Sequence, residues 1–124
     1  MTTIEETSVL HRYYDILRGG AEAYGDGGSL LDILAGDFVF DGPIAGRMEG
    51  GDRFIHGVRG FIETVREITI LQSVTTLTGA AVLYDAELPG GVIRFAEFFT
   101  LEDDRIRELT LLYNAEQYVA RGGR

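Results

Sequence analysis

Two carboxylates stand where an ionised group is hard to keep. Asp41 closes the run Phe38, Val39, Phe40 ahead of Gly42 and Pro43, and Glu97 sits inside Phe95, Ala96, Glu97, Phe98, Phe99. Aromatic and β-branched neighbours strip water from a carboxyl, disfavour its charged form and raise its pKa, which brings an acid or base toward neutrality. Two such acids suggest a pocket for a small hydrophobic or carbonyl-containing molecule. Proton transfer beside a carbonyl would be its chemistry, with isomerisation, cyclisation or elimination as outcomes. For one ligand to reach both, Asp41 and Glu97 must point into one pocket with their carboxyls roughly 4–8 Å apart. If either faces solvent, that enzyme reading fails. A module that binds a hydrophobic ligand or a partner, without chemistry, then takes its place.

Each of these residues also has a plainer reading. Asp41 before Gly42 and Pro43 is an ordinary turn initiator whose side chain accepts backbone N–H bonds. Glu97 shares a face with Phe95 and Phe99 in an unbulged strand. Ala96 and Phe98 are equally apolar, so alternation alone does not say which face is inward. An ion pair to Arg47 or Arg53 is a second environment for Glu97. Tyr13 and Tyr14 compete for the inner face of one helix, because Tyr13 has Val9 and Ile16 at helical spacing and Tyr14 has Leu10 and Leu17. Both, with Tyr113, serve as core or pocket wall as readily as proton donors. His56 falls one position from an apolar helical face, at a pocket rim, and His11 is less suggestive. These two histidines lie far apart without a His–Glu or His–Asp helical spacing, so no metal site is expected. Gly25, Gly27 and Gly28 follow no strand, and Gly50, Gly51 precede no Gly-Lys-Ser pattern. They read as turns, and no cofactor is expected.

The elements that must position these side chains are legible from periodicity. Val9, Leu10, Tyr13, Tyr14, Ile16 and Leu17 recur at helical spacing until Gly19 and Gly20 stop the run. After a glycine-rich stretch at 24–28, Ser29 can cap a short helix through Leu30, Leu31, Ile33 and Leu34, ended by Gly36. A short strand follows at 37–41. Asp52 can cap a third helix with Phe54, Val58, Phe61, Ile62 and Val65 on one face, reaching about Arg66. From Glu67 the pattern turns to period two, predicting strands at 67–78, 80–88, 91–101 and 105–114. Tight corners at Pro89 to Gly91 and Glu102 to Asp104 make the last three a meander. Helices first and an antiparallel sheet second predict the α+β class.

The chain has 124 residues, 45 % of them hydrophobic, which suits one globular domain over residues 1–120, with 121–124 as a loose tail. Met1 to Ser8 is polar and acidic, unlike a secretion signal, and no apolar run is long enough to span a bilayer, so a cytoplasmic location is expected. Without cysteine there is no disulfide, thiolate nucleophile or cysteine-bound metal. A formal charge of −9 opposes nucleic acid as a partner.

The order of helix, short helix, strand ending in Asp41, Gly42, Pro43, helix and long meander resembles the nuclear transport factor 2-like superfamily from about residue 8 to 118. That superfamily holds ketosteroid isomerases, SnoaL-type polyketide cyclases, limonene epoxide hydrolases and many binding domains. The resemblance implies a cystatin-like α+β barrel, a cone-shaped curved antiparallel sheet wrapped around the N-terminal helix, and a homodimer paired through its sheet faces. Three positions are similar to a ketosteroid isomerase site: Tyr13 after Arg12, Asp41 before Gly42 and Pro43, and Glu97 before Phe98 and Phe99. By that resemblance Asp41 is the base, while Tyr13 and a protonated Glu97 hydrogen-bond the dienolate oxygen. Glu97 stands where the isomerase pattern has Asp, and only the resemblance favours Tyr13 over Tyr14. Tyr14, Phe38, His56, Phe95, Phe99, Tyr113 and Asn114 are the expected ligand contacts. The epoxide hydrolase pattern fits less well, since Arg94 is followed at the required spacing by Ala96 and the last strand offers Asn114 in place of an acid.

Overall fold

The computed structural model describes Ile4 and residues 8–124. The expectation that the chain's first residues carry no secretion signal falls mostly outside the described residues.

Helix α1 (Val9–Arg18) begins where the Ser8 side chain accepts the His11 amide at 3.1 Å, and it buries Val9, Leu10, Tyr13, Tyr14 and Leu17. Gly19 and Gly20 end it as predicted. Gly20, at φ 88°, starts a further short helix α2 (Gly20–Tyr24) in a new direction, which the glycine pair concealed. Helix α3 (Gly28–Asp32) is entered from Gly27 at φ 85°, and Ser29 is not its cap. Ile33 and Leu34 leave the helix, because Leu34 already belongs to strand β1 (Leu34–Gly42), longer than the predicted 37–41.

A short strand β2 (Gly46–Glu49), not predicted, folds back on β1. Helix α4 (Gly51–Thr64) follows Gly50 at φ 92°. Asp52 lies in its first turn, suited to the helix dipole, and is not its cap. The predicted meander is present as β3 (Glu67–Thr75), β4 (Gly79–Leu88), β5 (Gly91–Glu102) and β6 (Arg105–Leu112). Asp103 and Asp104 turn the last hairpin at φ 52° and 59°, a left-handed pair that acidic turn residues tolerate. Strand β6 stops before Asn114, whose side chain accepts the Gln117 amide at 2.9 Å and caps an unpredicted helix α5 (Ala115–Ala120).

The six strands form one sheet in the order β2-β1-β6-β5-β4-β3. All neighbours are antiparallel except β1 and β6, which run parallel, so the sheet is mixed. That parallel pair joins the first strand, β1, to the last strand of the meander. Register shifts in β3 between Ile70 and Gln72 and at the β5–β6 pairing add bend. Strands β2 and β3 remain edges, so the sheet is curved but does not close into a barrel.

Residues 121–124, expected as a loose tail, pack back on the domain. The Gly90 amide donates to the Arg121 carbonyl at 2.9 Å, and the Tyr118 hydroxyl donates to the Arg124 carbonyl at 2.8 Å. A side chain on Gly60 would come within 2.6 Å of that Arg124 oxygen. Among the described residues, no helix is long and apolar enough to cross a membrane.

Candidate active site

Strand alternation decides what reaches the interior. Phe95, Glu97 and Phe99 of β5 face the helices and are buried at 2 %, 1 % and 4 % exposure, whereas Phe98 points outward at 49 %. The ambiguity between the two faces of β5 is thereby resolved with Glu97 inside. It faces α1, where Tyr13 and Tyr14 both turn in. The Tyr13 hydroxyl donates to Oε2 at 2.9 Å and the Tyr14 hydroxyl to Oε1 at 2.8 Å. Consecutive helical residues are about 100° apart, so the two tyrosines reach the carboxyl from different sides. The Tyr84 hydroxyl of β4 also acts on this carboxyl and favours its charged form. Glu97 therefore has tyrosines for partners. Arg47, one expected ion-pair partner, binds Glu49 instead.

The balance of forces on Glu97 is unequal. Burial pushes its carboxyl from an ordinary 4.5 up to about 7, while the hydroxyls of Tyr14, Tyr13 and Tyr84 pull it down. Burial also drives the hydroxyls of Tyr13, Tyr14 and Tyr84 well above their ordinary range, with the Glu97 charge adding to the effect. The cluster thus holds one group that changes charge near neutral pH.

A cavity of about 250 Å³ opens beside this cluster. Glu97, Tyr13, Tyr84 and Leu17 form its inner part, Phe40, Phe54, Phe61, Phe95, Leu111, Tyr113 and Tyr118 its walls, and the exposed Ile44, Ala45 and Arg124 its rim. The rings of the walls are in mutual contact. Phe95 stacks on Tyr84 at 5.1 Å between centroids and meets Tyr113 at 4.9 Å and Phe61 at 5.6 Å. Among the described residues, Glu97 supplies the one carboxylate side chain of the lining.

Asp41 is not brought to this pocket. Phe40 and Gly42 line the cavity, and Asp41 between them points to the opposite face of β1, where it is exposed. On that outer face it lies opposite Arg47 of β2 and Thr110 of β6. The geometry required of a two-carboxylate site is therefore absent, and the assignment of Asp41 as base is corrected.

The expected ligand contacts divide. Phe95 and Tyr113 line the cavity, whereas Tyr14 and Phe99 are buried beside it and do not. Tyr14 is a partner of Glu97, and Phe99 packs edge-on against Tyr13 at 5.6 Å. Phe38 is a core residue, fully buried against Phe54 at 5.0 Å. His56 is exposed on α4 and Asn114 is spent as a helix cap, so neither lies at the cavity. Arg94 of the epoxide hydrolase pattern pairs with Asp85 at 2.9 Å, away from the pocket.

The sequence reading missed Tyr84, Phe40, Tyr118 and Arg124. Phe40 was detectable, since it precedes Asp41 and must take the opposite face. Tyr84 lies on the inner side of β4, opposite Phe95 in register, which only strand pairing reveals. Tyr118 and Arg124 depend on α5 and on the segment after it folding back.

The family model described as SnoaL-like domain matches residues 10–109. No curated protein matches the chain. Among solved structures, a Kribbella flavida protein superposes with TM-score 0.80 at 22 % identity, over 94 % of each chain. A steroid delta-isomerase from Pseudomonas aeruginosa does so with TM-score 0.71 at 14 % identity, over 91 % of this chain and 82 % of its own. A Catenulispora acidiphila protein with a ketosteroid isomerase-like fold, in complex with trimethylamine, gives TM-score 0.70 at 12 % identity, over 93 % of this chain and 92 % of its own. At these identities the likeness is one of fold.

Proposed function

On the premise that this chain belongs to the SnoaL-like domain family, within the nuclear transport factor 2-like superfamily, we propose that it binds a small, largely apolar molecule whose one polar group meets Glu97. The observation that carries this reading is a single buried carboxyl at the inner end of an aromatic cavity that opens to solvent. Apolar walls with one convergent polar cluster are the common form of a small-molecule site. The isomerase assignment with Asp41 as base is not the reading we favour, because a base on the outer face cannot touch a ligand held at Glu97.

A second reading keeps the chemistry and needs only Glu97. A carboxyl pushed up to about 7 is divided between acid and base near neutral pH, the condition for efficient proton transfer. Glu97 then gives or takes one proton, and Tyr13 adjusts its bond to the carboxyl as the charge changes.

A titration of the side-chain carboxyls by 13C NMR, with and without equilenin as a neutral aromatic probe, tests the site. Binding should shift Glu97 and leave Asp41 unmoved. A probe that shifts neither, or shifts Asp41 alone, refutes the pocket. Turnover of a carbonyl substrate that is lost in Glu97→Gln and kept in Asp41→Asn would select the second reading.

The homodimer is part of the same proposal. Its support is the outer face of the sheet, where Phe98, Leu112 and Val74 are exposed apolar residues that a twofold mate could cover. Sedimentation equilibrium of the chain and of Phe98→Glu checks it, with a monomer in the first case as the refuting result.

A further inference from the structure

We propose that the ligand of this pocket is a small organic cation, an alkylated ammonium on an apolar body, taken in preference to a neutral molecule of the same shape. This rests on the reading of the cavity as a small-molecule site. Three features of the lining carry it.

The charge at the inner end of the cavity has one sign. Among the described residues, Glu97 is the sole carboxylate side chain of the lining, and the one cation, Arg124, stands exposed at the rim with Glu63 3.6 Å away. An ammonium that enters meets a carboxylate in a low-dielectric surrounding, where opposite charges attract far more than in water. The formal charge of −9 adds a long-range field of the same sense.

The hydroxyls of Tyr13, Tyr14 and Tyr118 are already committed. Tyr13 and Tyr14 donate to the two oxygens of Glu97, and Tyr118 donates to the Arg124 carbonyl. A carbonyl or oxyanion that takes its donor from Tyr13, Tyr14 or Tyr118 must break one of these bonds, and a buried acceptor left behind is costly. An alkylated ammonium needs no donor, because its charge is spread over its methyl groups.

The walls include aromatic rings in continuous contact, Phe61 edge-on to Phe95, Tyr84 stacked on Phe95 and Tyr113 tilted against it. Each ring carries negative potential on its face and attracts a cation, most strongly where water is excluded, and rings around a quaternary ammonium are a recurrent recognition device. A carboxylate beneath aromatic walls supplies both parts of such a site.

Among the described residues, the titratable groups facing Glu97 are Tyr13 and Tyr14 from α1 and Tyr84 from β4. Tyr113 and Tyr118 lie farther out and Arg124 is at the rim. Burial pushes the tyrosines up, so Glu97 is the group among them that ionises near neutrality. Cation binding therefore favours the carboxylate, and affinity should rise with pH until Glu97 is fully ionised.

The test compares phenyltrimethylammonium with its neutral isostere tert-butylbenzene, by NMR titration of the intact chain at pH 5.5 and pH 8.5. The expected result at pH 8.5 is a cation bound about tenfold or more tighter than the isostere, with at least a fivefold smaller preference at pH 5.5. Glu97→Gln, checked for folding by circular dichroism, should erase both the preference and its pH dependence. Equal or tighter binding of the isostere at pH 8.5 overturns the cation inference and leaves the small-molecule pocket standing. Failure of both probes to bind overturns both. A preference that survives in the variant, or that does not change with pH in the unaltered chain, also overturns the inference.

Discussion

Replacing Glu97 by Gln should change the pH dependence of stability in a defined direction. The Glu97 carboxyl rises from an ordinary 4.5 to about 7 on folding. Between those values the folded state holds a proton that the unfolded chain has lost, so stability falls as pH rises. Its contribution is fully present below pH 4.5 and gone above pH 7. At about 1.4 kcal/mol for each pH unit crossed, the loss is about 3 kcal/mol. Glu97→Gln does not titrate and escapes it, while its amide still offers an oxygen to one tyrosine. The stability of the unaltered chain minus that of Glu97→Gln should therefore drop by about 3 kcal/mol from pH 4 to pH 8.5, and the contributions of the other acids cancel in the difference. Urea unfolding followed by far-ultraviolet circular dichroism measures it in a chain that has no tryptophan. A difference constant to about 0.5 kcal/mol over that range refutes the argument. One that grows with pH would mean that the tyrosine bonds outweigh burial and hold Glu97 ionised.

Three further outcomes follow from the same geometry. Tyr13→Phe and Tyr14→Phe each remove a hydroxyl that lowers the Glu97 pKa, so the Glu97 midpoint should move upward in each variant by 13C NMR; a downward shift contradicts the assignment. Each should also cost about 1–3 kcal/mol at pH 8.5, where the carboxylate is left short of a donor, as urea unfolding would register. Asp41→Asn, altering an exposed side chain outside the cavity, should leave probe affinity within about twofold and stability within about 0.5 kcal/mol. A tenfold loss of probe binding would return Asp41 to the site. Gly60→Ala sets a methyl 2.6 Å from the Arg124 carbonyl oxygen, so hydrogen exchange should quicken at the Gly123 amide, which donates to Tyr118. Unchanged exchange there would show that the segment after α5 does not depend on that notch.

Much of the fold was legible because it rests on local periodicity. The inner face of α1 and the four strands of the meander declare themselves in the spacing of apolar residues, to within a few residues at each end. Short elements did not. Helix α2 hides behind Gly19 and Gly20, β2 is only Gly46–Glu49, and α5 follows a residue that a strand reading absorbs. Each is too short for a period to repeat, and each is held by contacts from elsewhere in the chain.

From the residues alone came a buried-acid candidate at Glu97, two tyrosines on one helix, an α+β order and a chain without thiol chemistry. These depend on residue type and on neighbours within a few positions. The tertiary structure decided which acid goes inside, that Tyr13 and Tyr14 do not compete but share one carboxyl, and that Tyr84 and Tyr118 join the pocket. Asp41 and Glu97 sit in equally apolar runs, but strand alternation lets only every second side chain face the core. Which set does so is decided by pairing with strands far along the chain: β1 on β6 sends Phe40 inward and Asp41 out, and β5 between β4 and β6 sends Glu97 in.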